Sequence, residues 1–136
     1  MSETYRKPIP DITPETRPYW DGLQAGKLML QRCADCGKIR HYPRPVCDAC
    51  FSMKVDWVQA SGRGTIYSWT ISHHPFHPGF KEELPFTLVT VDLEEGVRLN
   101  AQARGLGGDE LRIGQPVRIG FEPATDEFSL PIVLPA

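Results

Sequence analysis

The chain has 136 residues, 40% of them hydrophobic and 24% charged, with a formal net charge of -2. That balance belongs to one ordinary globular domain or two small modules. It lacks the strongly basic footprint of a nucleic-acid-binding domain, although basic side chains gathered on one face would escape such a count. No run of about 18 apolar residues is present, which excludes a spanning helix.

The first ten residues mix charge with proline and have no apolar segment, so no secretory signal is expected, and a cytoplasmic location is. Thirteen prolines and twelve glycines predict short elements joined by defined turns. Residues 1–27 read as an arm and one helix. Lys7-Pro8-Ile9-Pro10-Asp11 is extended, because residues before proline are pushed out of helical space. The helix starts either at Thr13-Pro14-Glu15, with Thr13 as cap, or at Pro18. Either start puts Tyr19, Trp20 and Leu23 on its apolar face, and Gly26 ends it.

Residues 28–57 hold all four cysteines, as Cys33-x2-Cys36, ten residues, then Cys47-x2-Cys50. Two residues between thiols let both sulfurs of a tight turn face one ion. Two such turns supply four soft ligands in a tetrahedron, which suits zinc. Iron also fits four thiolates. Two disulfides or a redox motif are competing readings of lower specificity, since nothing indicates secretion. A catalytic zinc keeps one position open, and four thiolates leave none, so the ion is expected to be structural. Gly37 follows Cys36 where the turn needs positive φ, whereas Phe51 follows Cys50. Residues 28–31 and 39–42 can form ribbon strands around the pairs. Thirty residues bury too little apolar surface to fold alone, so the metal supplies stability. Cys36→Ser is accordingly expected to unfold residues 28–57 and leave the barrel folded.

Residues 58–136 alternate as strands. Gly64 to Ser72 places Tyr67, Trp69 and Ile71 on one face. Phe86 to Leu93 follows, then the turn Glu94-Glu95-Gly96, whose carboxylates read as solvated. Val97 to Arg104, Val117 to Phe121 and Phe128 to Leu134 complete five strands, with a helical turn near Asp109 to Ile113. The chain is therefore expected to be mainly β, with a five-stranded barrel of the oligomer-binding (OB) type.

His73, His74 and His77 lie in a proline-stiffened stretch that reads as a loop rather than a metal site. No nucleophile elbow, phosphate-binding glycine loop or dinucleotide fingerprint occurs. With the cysteines committed to metal, no free thiol remains for covalent catalysis. The chain is not expected to be an enzyme by itself.

The run Pro18-Tyr19-Trp20-Asp21-Gly22-Leu23, then Gly26-Lys27-Leu28 and Leu30-Gln31-Arg32-Cys33, resembles the N-terminal hook of a known family. Cys36-Gly37, Pro43-Arg44, Cys47 and Cys50 resemble its rubredoxin-like zinc ribbon. Ser61-Gly62-Arg63-Gly64, Tyr67-Ser68-Trp69-Thr70, Glu94-Glu95-Gly96-Val97-Arg98 and Ile113-Gly114-Gln115-Pro116-Val117 resemble its OB fold. The family is the zinc-ribbon OB-fold proteins associated with acyl-CoA, long catalogued as a domain of unknown function. The resemblance implies a helical hook (1–27), a zinc ribbon (28–57) and an OB domain (58–136). It also implies a non-catalytic accessory role beside a thiolase-like enzyme of thiolase, condensing or retro-aldolase type, including steroid side-chain degradation. Such a subunit helps bind acyl-CoA. Tyr67, Trp69, Phe76, Phe86 and Arg98 are then candidates for acyl-CoA or partner contact, while the aromatics equally suit barrel core. The competing functions are a nucleic-acid-binding module and a stand-alone metalloenzyme.

Overall fold

In the computed structural model, which describes residues 5, 7–75 and 77–136, a short helix leads into two β-systems. The carbonyl of Thr13 accepts from the N–H groups of Thr16 and Arg17 at 3.1 and 2.8 Å, forming a turn ahead of the helix. Helix α1 then spans Arg17–Gln24, with Pro18 in its first turn, where a missing N–H loses nothing. The later of the two anticipated starts is thus the one used. Gly22 faces the sheet so closely that a Cβ there would lie 2.6 Å from Met29 Cγ and 2.9 Å from the Lys27 carbonyl. Glycine is what lets the helix seat on the strand that follows.

The ribbon sheet comprises β1 (Met29–Cys33), β2 (Ile39–Arg40) and β3 (Val55–Gln59), in the antiparallel order β2-β1-β3. The first two strands were expected. The third, an alternating Val-Asp-Trp-Val-Gln run beyond the last cysteine, pairs with β1 along its whole length and crosses from residue 57 to 58.

The remaining strands are β4 (Arg63–Ser72), β5 (Phe86–Leu93), β6 (Arg98–Ala103), β7 (Pro116–Pro123) and β8 (Ser129–Pro135). They close into a barrel in the order β4-β5-β6-β8-β7, with β6 and β8 parallel and the other neighbours antiparallel. Short 3-10 helices span Pro78–Glu83 and Gly108–Glu110. The fold is mainly β with an OB-type barrel, as the alternation predicted. Val89, Val91, Leu99, Val117, Ile119 and Val133 point inward. One strand departs from strict alternation. A bulge between Ile66 and Ser68 shifts the register of β4, so Ile66 is buried while Tyr67 is 46% exposed, and Ile71, farther along the strand on the Trp69 face, is 39% exposed. Of the three residues expected on one face, only Trp69 packs against the core.

Helix, ribbon and barrel share one core, which runs from Tyr19, Trp20 and Leu23 through Leu28 and Leu30 into the barrel interior. Trp20 joins them: its Nε1 donates to Tyr42 Oη at 2.9 Å, and its ring meets Phe128 edge-on at 6.0 Å. Gln24 Oε1 accepts from Ser129 Oγ at 2.5 Å, and Gln24 Nε2 donates to the Asp126 carbonyl at 3.1 Å. The turn carboxylates do more than meet solvent. Glu94 accepts from Arg63 Nε and Ser61 Oγ at 3.0 and 2.9 Å, and Glu95 accepts from the Ser61 N–H at 2.9 Å. They fasten the segment that connects ribbon to barrel.

Candidate functional site

Each cysteine pair is built by the same backbone turn. The Cys33 carbonyl accepts from Gly37 N–H and the Cys33 N–H donates to the Lys38 carbonyl, both at 2.9 Å. The second turn repeats this with Cys47, Phe51 and Ser52, again at 2.9 Å. Gly37 has φ +80° and Phe51 has φ +62°, so the missing glycine does not alter the geometry. Phe51 instead adopts a left-handed conformation that costs a side-chain-bearing residue about 1–2 kcal/mol.

The four Sγ atoms lie within 4.8 Å of one another, the closest pairs being Cys33–Cys50 at 3.5 Å and Cys36–Cys47 at 3.6 Å. A tetrahedral ion about 2.3 Å from each sulfur has edges of about 3.8 Å. A disulfide needs about 2.05 Å. The constellation fits one tetrahedral metal ion. Among the described residues it is the only group of three or more His, Cys, Asp or Glu side chains so placed.

The electrostatics agree. Backbone hydrogen bonding from Cys36, at 3.4 Å, helps draw the Cys33 thiol down to about 6, and the Ala49 N–H acts likewise on Cys47. A backbone hydrogen bond with Ser52 favours the Cys50 thiolate, but the adjoining Cys33 sulfur and burial push that thiol up to about 12. Four sulfurs this close ionise together only around a cation. Lys38 Nζ and Asp48 pair at 2.9 Å, and Ser52 Oγ donates to Asp35, so both turns are laced to each other.

Concave surfaces also lie outside this centre, and two of them hold residues of interest. The first is an apolar cavity of about 620 Å³ on the outer barrel face, walled by Tyr5, Phe80, Phe86, Leu88, Leu130 and Ile132. Gln102 also lines it and carries a buried amide nitrogen with no hydrogen-bond partner among the described residues. Lys7 pairs with Glu83 and lies 5.4 Å from the Phe80 ring centroid, tying the N-terminal arm across its rim.

The second is a polar cleft of about 380 Å³ between ribbon and barrel, bordered by Lys38, Arg40, His41 and Arg44 on one side and Asp92 and Arg98 on the other. Arg98 donates to Asp92 Oδ1 at 2.8 Å and its Cζ lies 3.6 Å from the Tyr67 ring centroid. Burial, aided by the Arg44 charge, pushes His41 down to about 4.

The structure therefore separates the residues singled out in the sequence. Phe86 walls the apolar cavity, Arg98 borders the polar cleft with its guanidinium against the Tyr67 ring, and Trp69 is partly buried against the core. Phe76 lies outside the described residues. His77 Nδ1 accepts from Gly79 N–H at 3.0 Å and caps a 3-10 helix, in keeping with a loop role. Sequence reasoning passed over Gln31, Arg40 and Arg44. Two arginines between the cysteine pairs, in an otherwise near-neutral chain, were the available signal.

Comparison with known proteins places these features. Residues 20–56 match the family model "ChsH2, rubredoxin-like zinc ribbon domain", and residues 57–122 match "ChsH2, C-terminal OB-fold domain". A DUF35 domain-containing scaffold protein of Methanothermobacter thermautotrophicus is 30% identical, over 83% of this chain and 86% of that protein. The chain belongs to the DUF35 family of ChsH2-type proteins. A solved Ltp2-ChsH2(DUF35) aldolase contains a DUF35-family chain that superposes with a TM-score of 0.84 at 36% identity, covering 93% of this chain and 98% of that one. A probable enoyl-CoA hydratase alpha subunit of Thermomonospora curvata is 38% identical over 96% of this chain. A 3-oxo-4,17-pregnadiene-20-carboxyl-CoA hydratase alpha subunit of Mycobacterium tuberculosis is 40% identical over 82% of it. The chain spans 40% and 35% of the lengths of those two subunits.

Proposed function

We propose that this DUF35-family chain is a non-catalytic accessory subunit of a thiolase-like enzyme complex, in which it scaffolds the partner and helps bind an acyl-CoA. The observation that carries this reading is its near end-to-end likeness to the ChsH2(DUF35) chain of an Ltp2-ChsH2 aldolase. The hydratase alpha subunits support it from the side of substrate chemistry, since both are named for CoA thioesters, one of them of a pregnadiene acid. The partner reaction is of thiolase, condensing or retro-aldolase type, and steroid side-chain degradation is the setting these names favour.

In this reading the three parts are 1–27, 28–57 and 58–136. Cys33, Cys36, Cys47 and Cys50 hold one zinc ion, which with four thiolate ligands has no position for substrate and serves the fold. Phe86, in the apolar cavity, Arg98, at the cleft, and Tyr67, against Arg98, are the residues offered for acyl-CoA or partner contact, together with Trp69 and Phe76.

Affinity purification of the tagged chain from its native source tests the proposal. A thiolase-like protein is expected to co-purify, and the isolated chain is expected to show no turnover of acyl-CoA. Recovery of nucleic acid or ribosomal material alone, or turnover by the isolated chain, overturns it. Metal analysis should give about one zinc per chain and a colourless protein. Visible iron–thiolate absorption would replace zinc by iron.

A further inference from the structure

Arg40 is 4% exposed and, among the described residues, has no carboxylate within ion-pair distance. Its Nε donates to Gln31 Oε1 at 2.7 Å and its Nη2 to the Arg44 carbonyl at 3.1 Å, while Nη1 is buried without a partner among the described residues. A guanidinium stays charged at any accessible pH, and burying one without a counter-charge costs several kcal/mol. Gln31 does not supply that charge. It is itself buried and neutral, and its Oε1 also accepts from the Arg44 N–H at 2.8 Å. This amide orients the guanidinium without neutralising it.

The rest of the cleft leans the same way. Lys38, Arg40, Arg44 and Arg98 border it against two carboxylates, Asp48 and Asp92, a local excess of two positive charges in a chain of net charge -2. Lys38 and Arg98 are matched by those carboxylates. Arg44, exposed, has none within 4.0 Å among the described residues, feels Asp48 only from farther away, and uses only its backbone in the hydrogen bonds described. Two cations therefore stand without a direct ion-pair partner among the described residues, one under the cleft and one at its mouth. Beside them the Arg98 guanidinium carbon sits 3.6 Å from the centroid of the half-exposed Tyr67 ring, a surface suited to a planar base.

We propose that this cleft binds the phosphate groups of a small phosphorylated nucleotide. Phosphate matches the unmatched guanidinium chemistry, and the opening of about 380 Å³ suits a small ligand. The further step, that the nucleotide is the one carried by CoA, rests on the accessory-subunit reading above. The apolar cavity shares no lining residue with this cleft.

Calorimetric titration of the zinc-loaded full chain with adenosine 3′,5′-bisphosphate and with inorganic pyrophosphate tests the site. The bisphosphate is expected to bind more tightly than pyrophosphate. Arg44→Ala is expected to weaken it about tenfold or more, with an unchanged melting temperature. Arg40→Met should weaken it similarly, and circular dichroism would report whether that variant still folds. No binding of either probe, or indifference to Arg44→Ala, overturns the site, and equal affinity for pyrophosphate overturns the nucleotide assignment. Bisphosphate binding that Arg44→Ala abolishes, in a chain that recovers no thiolase-like partner, leaves the cleft standing and the accessory reading overturned. A recovered partner whose acyl-CoA binding ignores Arg44→Ala does the reverse.

Discussion

Phe51 and Gly37 occupy equivalent corners of two equivalent turns, yet one carries a side chain that is 78% exposed. Phe51→Gly removes a left-handed strain of about 1–2 kcal/mol and restores some unfolded-chain freedom. The zinc-loaded variant should gain up to about 1 kcal/mol, read as a higher melting temperature. A lower one would mean that the ring contributes contacts that outweigh its backbone strain. His41 gives a second residue-level expectation. Its folded-state value, about 4, lies below the usual 6.5 because it is buried among Tyr19, Tyr42 and the Arg44 charge. The unfolded chain therefore takes up a proton that the folded chain refuses. The stability this group contributes is complete above about pH 6.5 and is lost as pH falls through about 4, to the order of 3 kcal/mol. His41→Gln should flatten that part of the pH–stability curve relative to the parent protein. Parallel curves would remove His41 from the acid sensitivity.

At the level of elements, α1 binds the other two parts to each other. Its Trp20 is 7% exposed, bonds to Tyr42 on the ribbon side and packs on Phe128 of the barrel. Trp20→Ala should cost about 3–5 kcal/mol. Trp20→Phe keeps most of the packing and loses the hydrogen bond, about 1 kcal/mol by chemical denaturation. This coupling sharpens what metal loss should do. Cys36→Ser is expected to abolish hydrogen-exchange protection in β1, β2 and β3 while β5 and β6 keep theirs. Because Leu28 and Leu30 belong to the same core as Trp20, α1 should lose protection together with the ribbon. Protection of α1 that survives the substitution would show that the barrel alone holds it.

At the level of the whole molecule, the strands of the barrel were legible because Val89, Val91 and Leu93, then Leu99 and Ala101, alternate in phase with burial. The cysteine centre was legible because its ligands are local pairs with fixed spacing. What escaped is what depends on distant parts meeting. β3 lies after the last cysteine and finds β1 across the sheet. Tyr67 turns outward because a bulge, invisible in a hydrophobic pattern, resets the register of β4. Glu94 and Glu95 clamp Ser61 and Arg63 some thirty residues away, and Arg40 meets Arg98 only across the completed cleft. The charge excess of that cleft is local. An unstructured single-stranded DNA oligonucleotide should give no mobility shift near 0.15 M salt, since nucleic-acid grooves run basic over many residues. A shift that weakens with added salt would revive the nucleic-acid reading.

The barrel is not equally sewn all the way round. β7 and β8 pair from Val117 and Pro135 to Pro123 and Ser129, whereas among the described residues β6 and β8 pair only at Gln102–Ile132 and Ala103–Val133, with one more bond from the Arg104 N–H to the Val133 carbonyl. Pro131, which has no amide hydrogen, sits immediately before that short join. Gln102, Pro131 and Ile132 also line the apolar cavity. The wall behind the cavity is thus the stave with the fewest rungs. Breathing motions of the barrel should begin there, and the amides flanking this seam should exchange with solvent ahead of those between β4 and β5. A guest wedged into the cavity would brace the cylinder along its weakest line and slow that exchange.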